Sequence, residues 1–153
     1  MESYLAQFWK FWLSIFLRLD WVSRTVTPDE RLCRFSFEKR YMRGSISPAA
    51  FMPPKTGGTP VYRTSGCTEK RVWLLGFLYV ERKRRDSAKI LGRADISADA
   101  ALREELKIRP RLSPHPRHAE LTNWPDDKPP QKDKAVALAQ ATSIYIRPPS
   151  DRL

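Results

Sequence analysis

The stretch TEKRVWLLGFLYVERKRRDSAKILGRADISADAALREEL, residues 68–106, decides how this chain is read, because helix and strand signals alternate along it. Thr68 with Glu69 behind it suits a helix start. A threonine side chain accepts from a first-turn amide, and an acidic residue there complements the helix dipole. That helix is expected to run through Val72, Trp73 and Leu75 and to stop at Gly76. Phe77-Leu78-Tyr79-Val80 is a short unbroken apolar run, the pattern of a buried strand. Glu81 to Arg85 then reads as a charged turn and Ile90-Leu91 as a partner strand, giving a hairpin with a basic tip. Ser97 caps a second helix through Ala100, Leu102, Glu105 and Leu106. Helix, hairpin and helix in succession indicate an α+β fold, with a small mixed sheet and three to four helices.

Toward the N-terminus, Leu32 to Phe37 alternate partly between apolar and polar and read as a first strand. Ser45 to Pro60 carry Pro48, Pro53, Pro54, Gly57, Gly58 and Pro60, which mark a long surface loop, and Val61-Tyr62-Arg63 resume extended structure. Toward the C-terminus, Ile108 to Leu112 is a short strand whose Pro110 confines it to a sheet edge. Ala119 to Trp124 form a brief strand, and an alanine-rich last helix begins near Lys132. Ile144-Tyr145-Ile146 either end that helix or add a strand. The chain thus divides into an amphipathic helix or extension at 1–26, a single basic domain at 27–147 and a loose tail at 148–153.

Tyr4 to Val22 is the most hydrophobic segment, yet Lys10 and Arg18 lie inside it, so it lacks the ~20 uncharged residues that a bilayer span needs. Gln7, Lys10, Ser14 and Arg18 recur at steps of three and four and form one polar stripe on a helix. Three readings stand for this helix: it packs on the domain, lies in a membrane interface, or docks into a protein partner through Trp9, Trp12 and Phe16. A fourth is that the natural chain starts later than Met1.

The 153 residues suit one domain, and 41% hydrophobic residues supply one core. The 28 Lys and Arg against 17 Asp and Glu leave a net charge of +11, a field that draws nucleic acid, nucleotides or anionic lipid. Cys33 and Cys67 lie far apart without a CxxC, which argues against a zinc knuckle. Two buried thiols in a reducing cytoplasm is the expectation.

The histidines His115 and His118 are three apart, but Pro114 and Pro116 oppose the helix that would aim both at one metal. No metal or cofactor is expected. His118 is the one candidate acid or base, and Arg63 and Arg93, at the ends of expected strands, would complete an anion-binding cluster with it. The alternative pairs Arg93 with Asp95 or Asp126 as a structural clip. Arg82, Lys83, Arg84 and Arg85 beside Tyr79 supply phosphate contacts with an aromatic nearby. The Gly57-Gly58 pair lacks phosphate-loop spacing, and neither Gly-x-Ser-x-Gly nor HExxH occurs.

At Val61-Tyr62-Arg63, Gly92-Arg93-Ala94-Asp95, and His118-Ala119-Glu120-Leu121 before Trp124-Pro125, the chain resembles a group of short bacterial proteins without an established activity. The resemblance covers about residues 27 to 143 and implies a shared fold. The charge points first to a binding module for nucleic acid or another polyanion. A small metal-independent RNA- or nucleotide-processing enzyme built on His118, Arg63 and Arg93 is one alternative. A protein-interaction or membrane-peripheral component anchored by the N-terminal helix is another.

Overall fold

In a computed structural model of the chain, residues 22–37 and 44–149 are described, together with Trp9 and Trp12. Strands β1 (Arg31–Ser36), β2 (Thr59–Arg63), β3 (Gly92–Ser97), β4 (Lys107–Pro110), β5 (His118–Thr122) and β6 (Ser143–Ile146) form one sheet in the order β4-β5-β2-β1-β3-β6. Helices α1 (Glu69–Leu75), α2 (Ala98–Arg103) and α3 (Lys128–Gln140) complete the fold among the described residues. Every strand pair is antiparallel, so the α+β class holds while the expected mixed sheet is corrected to an antiparallel one. β4, with Pro110, takes an edge as the sequence requires. The expected N-terminal helix lies outside the described residues except for Trp9 and Trp12, which are helical and exposed.

Both faces of the sheet carry apolar cores. Leu32, Val61, Ala94, Ile96, Ala119 and Leu121 pack on one face against Phe51, Ala98, Ala101, Ala135 and Leu138. Cys33, Phe35 and Tyr62 pack on the other against Val72, Trp73, Leu75, Tyr79 and Ile90. Alternation along β1 assigns Leu32 to the first core and its neighbours Cys33 and Phe35 to the second. Trp124, whose place before Pro125 has no local rationale, donates from Nε1 to the Leu121 carbonyl at 2.9 Å and covers the first core. Helix α3 starts at Lys128, earlier than expected, since proline is tolerated in a first turn where amides have no intrahelical partner.

The hairpin expected from Phe77 to Leu91 is corrected. Gly76 keeps helical angles, and the chain continues through Gly76–Glu81 as a π-helical turn closed by Arg82 N donating to Phe77 O at 3.0 Å. A four-residue apolar run reads alike as strand or buried helix, and packing decides. Phe35 decides here: a Cβ on Gly76 would stand 2.6 Å from its Cε1, so only glycine lets this turn lie against β1. Ile90 and Leu91 return alongside β1 outside any strand, held by Ile90 N donating to Glu81 Oε2 at 2.7 Å and Leu91 N to Ser36 O at 2.8 Å. Neither cysteine is in a disulfide; Cys33 is buried as expected, whereas Cys67 is only partly buried.

Candidate functional site: a basic cavity beside His118

The cavity originates in a gap between β1 and β2. Their ladder has two register pairs, Leu32 with Arg63 and Cys33 with Tyr62. In a strand, a residue's N–H and C=O point to the same side, and Pro60 turns its carbonyl toward β1 without an amide hydrogen to donate there. Arg34 fills the vacancy, donating from Nη1 to Pro60 O at 3.1 Å and from Nε to Ala50 O at 3.0 Å.

Over this gap lies the turn that follows the π-helical segment. It brings Lys83 and Arg84 to a cavity of about 280 Å³ whose walls include Arg34, Tyr62, Tyr79 and His118. None of its described lining residues is acidic. An adjoining cavity of about 560 Å³ shares Arg34 and Arg84 and extends to Phe37 and Asp86. Lys83 Nζ stands 5.8 Å from the Tyr79 ring centroid. The Arg84 guanidinium stacks 4.2 Å from the Phe37 centroid and grips Asp86, with Nε 2.9 Å from Oδ1 and a second contact from Nη2 to Oδ2. That grip, with help from the Ala88 amide, holds the Asp86 carboxyl down at about 2.

His118 opens β5 with its ring 5.4 Å from that of Tyr62. Its Nδ1 lies 2.9 Å from the Ser113 carbonyl oxygen, which can only accept. The proton of the neutral ring therefore sits on Nδ1, leaving Nε2 as a bare acceptor. Burial lowers the His118 pKa below its ordinary value. The Ser113 bond and the Glu120 charge pull upward, while Arg111 and Lys83 push down. Burial and the nearby cations thus favour the neutral imidazole.

The other expected site residues lie elsewhere. Arg63, 2% exposed, donates to both carboxylate oxygens of Glu30, at 2.7 and 2.6 Å, and to Thr25 O at 3.0 Å. Arg93, fully buried, is shared between Glu69 and Asp95 and sits between the Trp73 and Tyr145 rings. Neither lines the cavity with His118. Of the basic block, Lys83 and Arg84 line it while Arg82 and Arg85 stay exposed outside it. His115 is buried with its ring 4.8 Å from Tyr79, its Nδ1 accepting from the Arg117 amide at 3.1 Å, so the two histidines serve different ends. Among the described residues no group of three or more candidate ligands could hold a metal.

Sequence reasoning missed Arg34 and Tyr62. Arg34 was legible only as the polar position of an alternating strand, and its role depends on a neighbour distant in sequence. Trp9 and Trp12 are 64% and 47% exposed, Phe16 lies outside the described residues, and no described helix is long and apolar enough to cross a membrane.

No protein-family model matches this sequence, and comparison with curated proteins and with solved structures gives no match either. The chemistry of the cavity is the guide to function.

Proposed function

We propose that this protein is a binding module for nucleic acid or a comparable polyanion, and that the cavity between β2 and the Arg82–Arg85 turn receives a phosphate-bearing unit. The supporting observation is the composition of the wall: Arg34, Lys83, Arg84 and His118 converge there with two tyrosines and, among the described residues, without a carboxylate. Cations around a recess focus the field that a net charge of +11 spreads over the surface. Aromatic walls suit the flat, apolar faces of bases. Arg63 and Arg93 add to that field, while their carboxylate partners already occupy their donors.

The test is binding of labelled single-stranded RNA, single-stranded DNA and duplex DNA across a salt series. Wild type is compared with Lys83→Ala in the cavity wall and Arg85→Ala outside it. Binding that weakens steeply with salt, with a larger loss for Lys83→Ala, supports the reading. No binding at low salt overturns it.

A further inference from the structure

An acceptor in a cationic cavity calls for a ligand that carries a phosphate and a hydrogen-bond donor close together. The Lys83 ammonium suits the phosphate, and Arg84, which also grips Asp86, adds its charge beside it. His118 adds the other half, because Ser113 O at 2.9 Å fixes the proton on Nδ1, and among the described residues Nε2 meets no hydrogen-bond partner. A lone acceptor facing bound phosphate oxygens would repel them, so the cavity as built favours a ligand that brings a proton to it.

Every ribonucleotide has such a proton beside its phosphodiester, on the 2′-hydroxyl. An exocyclic base amine is farther from the phosphate and occurs on some bases only. We propose that the cavity is a single-strand RNA site in which Lys83 and Arg84 hold the phosphate and His118 Nε2 accepts from the 2′-hydroxyl. This inference rests on the polyanion reading and narrows it to a substrate class. Recessed aromatic walls beneath a turn suit an unpaired nucleotide, whose base is free to leave its stack.

The test measures equilibrium binding of one single-stranded sequence as RNA, as DNA and as 2′-O-methyl RNA. Wild type is expected to bind RNA about three- to tenfold more tightly than either analogue, the worth of one neutral hydrogen bond. In His118→Phe, which keeps a ring against Tyr62 but removes Nε2, the RNA and DNA affinities are expected to converge. The 2′-O-methyl comparison uses wild-type protein and so stands even where the variant misfolds. Equal, salt-dependent binding of all three by wild type overturns the ribose assignment and leaves the polyanion reading standing. An RNA preference that persists in folded His118→Phe also overturns it. Absence of binding to any of the three removes the polyanion reading and this one with it.

Discussion

Arg93 meets Glu69 face to face, its Nη1 and Nη2 each 2.8 Å from one carboxylate oxygen, while its Nε lies 3.1 Å from Asp95 Oδ1. The two acids are not equivalent: the Asp95 side chain is 4% exposed and that of Glu69 is 59% exposed. Replacing Arg93 by leucine leaves the buried Asp95 carboxylate the longer Arg31 Nε contact at 3.7 Å and is expected to cost about 3–5 kcal/mol, read from the urea midpoint. Glu69→Gln leaves Asp95 in place and is expected to cost about 0–1 kcal/mol, as for an exposed ion pair.

Glu30 makes stability depend on acid. Burial raises its carboxyl pKa, but the hydrogen bonds from Arg63 and the Thr27 amide outweigh burial and leave it below the ordinary 4.5. A carboxyl depressed in the folded state stabilises fully above its unfolded value and loses that contribution as pH falls through the folded one. Wild-type stability is therefore expected to decline below about pH 4.5. Glu30→Gln should be less stable by about 1–3 kcal/mol at neutral pH, and urea titrations should show the gap closing as pH is lowered.

Gly76 tests the contact that turned an expected strand into a helical turn. Alanine helps an ordinary helix interior, yet here its methyl would press on the Phe35 ring from 2.6 Å. Gly76→Ala is expected to destabilise by about 1–3 kcal/mol in thermal or urea unfolding, the usual range for overpacking. A stabilised variant would mean that Phe35 yields freely.

Asp86 offers a gain of function. It engages Arg84 at the rim of the cavity system, so part of the cationic wall is already spent on an internal acid. Asp86→Asn removes that competitor and one negative charge. The variant is expected to bind single-stranded nucleic acid about three- to tenfold more tightly at low salt, with a steeper salt dependence. Unchanged affinity would place the ligand away from Arg84.

Local signals were legible wherever a few neighbouring residues decide the outcome. Thr68 and Ser97 cap their helices by accepting from the amides three residues on, β1 follows its alternation, and Pro110 holds β4 at the edge. The pairing of Arg93 with Asp95 was also within reach, since residues two apart share a strand face. Contacts across long sequence separations were not. Phe35 sets the fate of Phe77 to Val80 from a strand distant in sequence, and Glu30 claims Arg63 from 33 residues away. The cavity needed Pro60, Arg34 and His118 together, and no spacing in the chain announces a gap between two strands.

The sheet order places β2 and β1 at its centre, flanked on both sides by hydrogen-bonded neighbours. The amides of these central strands, which carry Tyr62 and Arg34, are expected to exchange last, whereas Lys83 and Arg84 ride on a solvent-exposed turn outside every ladder. A ligand held in the cavity as proposed would thus meet a floor built into the centre of the sheet and a rim that lies outside it. Such a division of labour lets the rim be rewritten, one basic residue at a time, while the stability of the protein stays where it is.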